Sequence, residues 1–337
     1  MNGNTLDDAF YMQLCLDAAW KYQGLTYPNP AVGSCILDSN DKLLAISSHK
    51  SAGSSHAELN VISKTLKLCG DTKIDKIDTA KEKYKYILEN HNNIFKNFTI
   101  YVTLEPCNHT GKTPPCSILI KTLGFKKIVI GSMDLNKDAT GGANILEDAG
   151  LEVVKDVMKE KCDFLLAPFK KWQKNKPYIF FKLAISQNGV YSGGVISCLE
   201  SRELVHKLRS KIDLLVIGGN TIRVDRPTLD CRLSGGNVPD VLIYSKRDDF
   251  DFEIPLFKVS GRKVFIENSL DRIQGYKFIM IEGGAGMLKE SIDLVDSILL
   301  FTAPVFKIGD TLQLDLKLKC LHTFKNNLDY IQWFKKI

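Results

Sequence analysis

The sequence predicts an α/β protein with two successive domains, in which helices cover the faces of a mostly parallel β-sheet. Two observations support this prediction. β-rich runs alternate with segments of helical periodicity along most of the chain. In addition, 337 residues are enough to bury two separate hydrophobic cores. We expect the first domain at residues 1–150, a connecting helix at 151–175 and the second domain at 176–337.

The first half alternates predicted helices and strands. Apolar residues at helical spacing, such as Phe10, Leu14 and Ala18, indicate helices, and β-rich runs beside turn residues indicate strands. The predicted helices are 7–21, 56–68, 80–88, 116–123 and 143–149, and the predicted strands are 32–37, 43–47, 98–104, 127–131 and 151–154. Residues 69–97 are rich in Lys, Asp, Glu and Asn, and we expect a solvated insertion there.

The second half resumes this alternation after Lys176-Pro177, where the proline should end the connecting helix. The predicted strands are 178–184, 214–218, 241–244, 263–267 and 278–281, and the predicted helices are 201–211 and 287–292. A glycine-rich turn, residues 282–286, separates the last strand from the last helix. Glycines at such a turn let backbone N–H groups approach a phosphate, so the turn is a candidate nucleotide-binding loop.

Composition indicates the cellular compartment and the ligand classes with which the sequence is compatible. No stretch approaches the roughly 18 to 20 uninterrupted apolar residues of a membrane span, and residues 1–10 lack the pattern of a secretory signal. The nine dispersed cysteines are typical of reduced thiols in a cytoplasmic protein. A net charge of +6 is compatible with phosphorylated small molecules and with nucleic acid alike.

Two short motifs in the first half predict a catalytic zinc site. They are His56-Ala57-Glu58 and the stretch from Glu105-Pro106-Cys107 to Pro114-Pro115-Cys116. Catalytic zinc keeps three protein ligands and one open position, which fits His56, Cys107 and Cys116. Glu58 then remains as the general acid and base, an arrangement known from zinc-dependent base deaminases. A closed four-ligand site, with His109 as a further ligand, and unrelated buried thiols are the alternatives.

These motifs resemble those of the bifunctional riboflavin-biosynthesis deaminase/reductases of bacteria. Gly111-x-Thr113-Pro114-Pro115-Cys116 is the most discriminating part, and Pro28-Asn29-Pro30-x-Val32-Gly33 and His49 also match. The resemblance implies a cytidine-deaminase-like zinc domain in which Asn29 and His49 bind the substrate.

In the second half, Lys182-x-Ala184-x-Ser186-x-x-Gly189 resembles the start of the family's reductase domain. The resemblance implies a dihydrofolate-reductase-like fold that binds NADPH. It implies cofactor contacts from Ala184, Thr221, Asp225, Gly283, Gly284 and Gly286, and substrate contacts from Lys182, Arg209, Leu229, Arg232 and Glu282. Asp225 is further expected to act in catalysis, by orienting or protonating the ribose as it is reduced.

The chain departs from the family pattern at several positions. Asn188 stands where the family usually has Asp, and Val195 stands where Trp is common. Residues 69–97 are additional. None of these departures touches the predicted zinc ligands.

The resemblance implies a cytoplasmic, homo-oligomeric enzyme of riboflavin biosynthesis. It would deaminate 2,5-diamino-6-ribosylamino-4(3H)-pyrimidinone 5′-phosphate with zinc, then reduce the ribosyl group to ribityl with NADPH. One alternative is a nucleic-acid base deaminase followed by a binding domain, which should show clustered basic and aromatic residues in the second half. Another is a reductase with a structural zinc module, which would have no use for Glu58.

Overall fold

The computed structural model describes residues 7–109, 111, 114–134 and 140–337. The chain forms two compact units, Met1–Gln173 and Lys174–Ile337. Within the described ranges, no helix has both the length and the apolar character needed to cross a membrane.

The first unit contains a five-stranded sheet with helices packed against it. Its elements are α1 (Asp8–Trp20), β1 (Gly33–Leu37), β2 (Leu43–Ser48), α2 (Ala57–Leu68), α3 (Ala80–Asn90), β3 (Thr99–Leu104), α4 (Cys116–Leu123), β4 (Lys127–Ser132), α5 (Gly142–Asp148), β5 (Glu152–Val154), α6 (Lys159–Leu165) and α7 (Ala167–Gln173). The strand order is β2-β1-β3-β4-β5. β1 is antiparallel to β2 and β3, whereas β3, β4 and β5 run parallel.

β3 is the central strand, and all six of its residues are buried. Such a run, buried on both faces, is what a sheet with helices on both sides requires. Its carboxyl end leads into the segment that carries Cys107, at the edge of the sheet where the predicted metal motifs should meet.

Residues 69–97 differ from the expected solvated insertion. Ile74, Tyr84, Ile87 and Phe95 are all buried in the core of the first unit. The many charged residues led to the wrong expectation. In α3 the charged residues occupy the outer face, whereas Tyr84 and Ile87 face the core at helical spacing.

The stretch predicted as one connecting helix forms two helices, α6 and α7, and both belong to the first unit. Leu166 ends α6, and Pro168 lies in the first turn of α7, where the missing N–H of proline is tolerated. Trp172 of α7 packs edge-on against Tyr27, with 4.6 Å between the ring centroids.

The second unit is built on an eight-stranded sheet. Its elements are β6 (Tyr178–Ser186), α8 (Leu199–Arg209), β7 (Leu214–Gly218), α9 (Gly219–Asp225), β8 (Asp240–Tyr244), β9 (Val264–Glu267), β10 (Phe278–Glu282), α10 (Ala285–Ser291), β11 (Ser297–Ala303), β12 (Leu318–Asn326) and β13 (Asp329–Lys336). The order is β12-β13-β11-β6-β10-β7-β8-β9. The strands from β11 to β9 pair in parallel, and β13 and β12 add antiparallel pairs at one edge.

Candidate functional site

The first unit brings both predicted motifs to one place. His56 is the N-cap residue of α2, and Glu58 lies in the first turn of the same helix. Cys116 is the first residue of α4, and Cys107 lies between β3 and α4. Two helix starts thus meet at the carboxyl end of the central strand, where exposed backbone N–H groups favour thiolate sulfur.

The geometry of this cluster fits zinc. His56 Nδ1 lies 3.6 Å from Cys107 Sγ and 3.5 Å from Cys116 Sγ. Tetrahedral zinc, with bonds of about 2.0–2.1 Å to nitrogen and about 2.3 Å to sulfur, separates such ligand atoms by about 3.5–3.6 Å. Among the described residues, this is the cluster of three possible ligands that the chain offers, and His109 is outside it. A fourth protein ligand from His109 is therefore not supported.

The two thiols differ in acidity. The hydrogen bond that Cys107 shares with Cys116 holds the pKa of Cys107 well below its usual value, with His56 contributing in the same direction. The same shared hydrogen bond and burial raise the pKa of Cys116. One thiolate is thus already favoured, and a cation would displace the remaining proton.

Glu58 is the buried carboxyl group beside this cluster. Its exposed fraction is 4%, and burial raises its pKa to about 7, against the opposing effect of His56. A carboxyl group that titrates near neutral pH can both accept and return a proton during one turnover. The position and the acidity of Glu58 therefore suit a proton shuttle.

A cavity of about 240 Å³ opens in front of the cluster. Asn29, His49 and His109 line it together with His56 and Glu58. His49 Nε2 lies 3.2 Å from Asn29 Nδ2, and His49 Nδ1 lies 3.0 Å from the carbonyl oxygen of Ser55. Burial lowers the pKa of His49, so the ring is neutral at pH 7. Lys112 and Thr113 of the loop between the two cysteines lie outside the described residues.

Sequence reasoning missed three further residues of this cavity wall. They are Glu105, Asp134 and Phe169 of α7. The carboxylate of Glu105 accepts hydrogen bonds from the backbone N–H groups of Asp134, Gly141 and Ala143, at 3.0–3.1 Å. The signal for Glu105 was its place in the Glu105-Pro106-Cys107 motif, whereas an apolar helix residue such as Phe169 looks like any core residue.

In the second unit, the structure brings together Lys182, Arg209 and Glu282. Lys182 of β6 is in register with Glu282 of β10, and Arg209 Nη2 lies 3.3 Å from the Glu282 carboxylate. Burial alone would raise the pKa of Glu282, but Arg209 and Lys182 lower it on balance. Arg209 Nε is buried and has no hydrogen-bond partner among the described atoms. The two basic groups, of which Arg209 is paired with Glu282, give the cluster positive charge that suits an anionic ligand.

The other predicted residues follow β7. Thr221 and Asp225 lie four positions apart on α9, so they share one face of that helix. Leu229 is buried and has a φ of 56°, and the exposed Arg232 pairs with Asp230 at 3.1 Å. These residues lie beyond the carboxyl end of a central parallel strand, where α/β folds bind ligands.

Arg262 supports this loop and was not predicted. Its guanidinium donates to the carbonyl oxygens of Leu229 at 2.5 Å, Thr228 at 2.9 Å and Leu256 at 2.6 Å. Burial lowers the pKa of Arg262 to about 10. Arg262 lies two residues before β9, far from the loop in sequence, so no local pattern indicated this role.

The glycine-rich turn joins β10 to α10. A side chain at Gly283 would collide with Met287, and one at Gly284 would collide with the ring of Tyr191. Gly286 is exposed and has open space where a side chain would extend. Two of the glycines are thus required by packing, and the third leaves room beside the turn. Ala184 of β6, like Glu282, belongs to the carboxyl-end half of its strand.

Asn188, where the family resemblance leads us to expect Asp, forms two hydrogen bonds with the backbone of Lys307. Its Nδ2 donates to the carbonyl oxygen of Lys307 at 2.8 Å, while its Oδ1 accepts from the Lys307 N–H at 3.0 Å. A carboxylate could make only the second of these bonds. Val195 is exposed.

Known protein families match both halves of the chain. Residues 6–132 match the family profile described as the cytidine and deoxycytidylate deaminase zinc-binding region, and residues 177–326 match the RibD C-terminal domain. The chain is 34% identical over 242 residues to the riboflavin biosynthesis protein RibD of Actinobacillus pleuropneumoniae, covering 70% of this chain and 57% of the relative. It is 32% identical over 277 residues to the RibD protein of Synechocystis sp., covering 79% and 68%.

Solved structures show the same fold over nearly the whole chain. A diaminohydroxyphosphoribosylaminopyrimidine deaminase/5-amino-6-(5-phosphoribosylamino)uracil reductase from Thermotoga maritima superposes with a TM-score of 0.64 at 22% identity, covering 98% of both chains. RibD of Acinetobacter baumannii superposes with a TM-score of 0.61 at 21% identity, covering 98% of this chain and 99% of that one. The predicted pairing of a cytidine-deaminase-like zinc domain with a dihydrofolate-reductase-like α/β domain is confirmed.

Proposed function

Because the chain belongs to the RibD family of riboflavin biosynthesis proteins, we propose that it is a bifunctional deaminase and reductase. We assign hydrolytic deamination of 2,5-diamino-6-ribosylamino-4(3H)-pyrimidinone 5′-phosphate to residues 1–150, together with 151–175, whose helices α6 and α7 belong to the same unit. We assign NADPH-dependent reduction of the ribosyl group to residues 176–337. The observation that carries the first assignment is the His56, Cys107 and Cys116 cluster with Glu58 buried beside it.

In the deamination, His56, Cys107 and Cys116 would hold zinc. When bound, zinc would supply a water molecule whose pKa is lowered to about 7. Glu58 would accept a proton from the attacking water, and the water oxygen would bond to the amino-bearing ring carbon. The same carboxyl group then returns the proton to the departing amine, and ammonia leaves as the carbonyl forms. Asn29, held by His49, binds the ring within reach of Glu58.

In the reduction, the product of the first reaction is the substrate. When bound, NADPH would supply the hydride that reduces C1′ of the opened ribose, and NADP⁺ would be the product. Ala184, Thr221, Gly283, Gly284 and Gly286 would contact the cofactor. Lys182, Arg209, Leu229, Arg232 and Glu282 would bind the phosphorylated substrate, since the basic residues of this set can neutralise a phosphate. Asp225, exposed at the end of α9, orients or protonates the ribose as it is reduced.

We propose a phosphorylated small molecule as the partner, with no role for nucleic acid or membranes, and a cytoplasmic homo-oligomer. The second unit supports a small-molecule site, because Lys182, Arg209 and Glu282 form a charged cluster in which Glu282 directly precedes the glycine turn. All nine cysteines are free thiols, as expected in a reducing compartment. A reductase with a purely structural zinc module does not account for the buried Glu58 facing the cavity.

Ammonia release without cofactor tests this function. Purified, zinc-loaded full chain is mixed with the diamino pyrimidine ribosyl phosphate in the absence of NADPH, and ammonia is measured. We expect one ammonia per substrate, with no change on adding a nuclease-resistant oligonucleotide competitor. Absence of ammonia from the zinc-loaded protein would contradict the deaminase assignment.

A further inference from the structure

A hydrogen bond connects residues 69–97 to the backbone beside the metal cluster. Tyr84 of α3 donates from its hydroxyl to the carbonyl oxygen of Pro115, at 3.1 Å. Pro115 is the N-cap residue of α4 and directly precedes the ligand Cys116. The segment that is additional to the family pattern therefore contacts the backbone next to a predicted zinc ligand.

The peptide group between Pro115 and Cys116 is held at both ends. Its carbonyl oxygen accepts from Tyr84 and, at 3.3 Å, from the N–H of Leu119. Its N–H points to Cys107 Sγ, at 3.5 Å. A donor on the carbonyl side of an amide polarises it, which strengthens the N–H on the other side as a donor. The Tyr84 hydroxyl is thus connected to the sulfur of Cys107 through one amide.

Tyr84 is held firmly enough to have this effect. Its exposed fraction is 5%, and Ile87, one helical turn further on, is fully buried. Phe95, just after α3, packs on Phe125 with 5.2 Å between the ring centroids. Thr79 caps the start of α3 by accepting from the N–H of Glu82 at 3.2 Å. The hydroxyl is therefore presented to Pro115 by a fixed helix.

We propose that Tyr84 is a positioning residue for the zinc site, which orients the Pro115–Cys116 peptide and strengthens its N–H···S bond to Cys107. This role rests on the proposed function only in that it requires zinc to bind at this cluster. Outer partners of metal ligands fix ligand orientation and tune the donor strength of the ligand atom. Removing the hydroxyl should leave Cys107 a more electron-rich but less well-oriented ligand.

The test compares Tyr84→Phe with Tyr86→Phe. Tyr86 lies on the same helix, and its hydroxyl donates to the Asp71 carboxylate at 2.8 Å, away from the metal ligands. Both changes remove one hydroxyl and keep the ring, so packing is preserved. Zinc dissociation constants are measured on the full chain by competition with a chromophoric chelator, and cobalt(II) is loaded into each protein for absorption spectra.

We expect Tyr84→Phe to raise the zinc dissociation constant about tenfold and to shift the thiolate-to-cobalt charge-transfer band to lower energy. Tyr86→Phe should match the wild type in both measurements. Equal zinc constants and superimposable cobalt spectra in the two variants would overturn the proposal, whatever their thermal stability. Ammonia release by the wild type tests the deaminase function separately, so either idea can fail while the other stands.

Discussion

His49 determines which way the Asn29 amide faces. The Ser55 carbonyl can only accept a hydrogen bond, so the neutral His49 ring carries its proton on Nδ1, 3.0 Å away. His49 Nε2 is then an acceptor, and the group 3.2 Å from it must be the Asn29 NH₂. Asn29 Oδ1 is left free of this pair and can accept a hydrogen bond from a ring N–H or an amino group of the substrate.

This relationship predicts the effect of Asn29→Asp. A carboxylate cannot donate to His49 Nε2, so the orientation is lost and a charge enters the cavity. We expect the KM for deamination to rise at least about tenfold, while zinc content stays at the wild-type value. Steady-state kinetics and metal analysis provide the check, with the exposed-turn variant Asn40→Asp as the matched control. An unchanged KM would mean that Asn29 does not bind the ring.

Glu58→Gln separates metal binding from proton transfer. The amide keeps the size of the side chain but cannot take a proton from water. Ammonia release should fall by about 10²- to 10⁴-fold, with zinc retained in full. Glu89→Gln, on the exposed face of α3, should behave as the wild type. Deamination by the Glu58 variant at a near wild-type rate would show that another group moves the proton.

Asp163 gives the first unit an acid-sensitive contact. Its carboxylate accepts from Lys170 Nζ and Ser132 Oγ, each at 2.6 Å. Burial acts to raise the pKa of Asp163, but these two donors lower it on balance below the ordinary 3.8. The charged form is therefore favoured by folding, and its contribution is present above pH 3.8 and is lost as the pH falls through the lower folded-state value.

We expect Asp163→Asn to reduce the free energy of unfolding at pH 7 by about 1 kcal/mol, a modest value because the pair is partly exposed. The difference from the wild type should shrink as the pH falls towards 3. Urea unfolding at several pH values measures both effects. Asp156→Asn, which breaks the more exposed pair with Lys159, is the control and should change stability less. A difference that stays constant with pH would contradict the assignment.

Asp225→Asn should impair the second reaction alone. The amide cannot protonate the ribose oxygen, so NADPH oxidation with the deaminated substrate should fall by about 10²-fold. Ammonia release should be unaffected, because Asp225 belongs to the second unit. Asp293→Asn, an exposed carboxylate paired with Lys336, serves as the control. Equal loss of both reactions would argue against separate sites.

Sequence motifs indicated which residues form the cluster of His56, Cys107 and Cys116, but not which residues surround it. The zinc ligands and Glu58 are adjacent to helix starts, and local motifs report such positions directly. Phe169 and Tyr84 were not predicted as site residues. Each occupies an inward-facing position of a helix, and the sequence pattern of such a position is the same for a core residue and for a residue beside a site. Arg262 supports Leu229, 33 residues away, and Asn188 pairs with Lys307, 119 residues away, and no local pattern reveals such contacts.

The sequence did not predict α9, β11, β12 and β13 of the second unit, and two of these, α9 and β12, were missed for similar reasons. α9 contains Gly219, Asn220 and Thr221, which are weak helix formers, so its position after β7 stabilises it more than propensity does. β12 lies at the edge of the sheet, and its mixture of charged and apolar residues weakens the alternating pattern of a strand. Tertiary context decides both cases.

The order of the two reactions tests whether this chain first deaminates the pyrimidine and then reduces the product. Ammonia and NADPH absorbance are followed together after the full chain is mixed with the diamino substrate and NADPH. We predict that ammonia appears first and that NADPH is oxidised after a lag in equal final amount. Glu58→Gln should stop both signals, and supplying the deaminated compound should restore NADPH oxidation alone. NADPH oxidation that proceeds at the wild-type rate in Glu58→Gln, with the diamino substrate alone, would contradict the account.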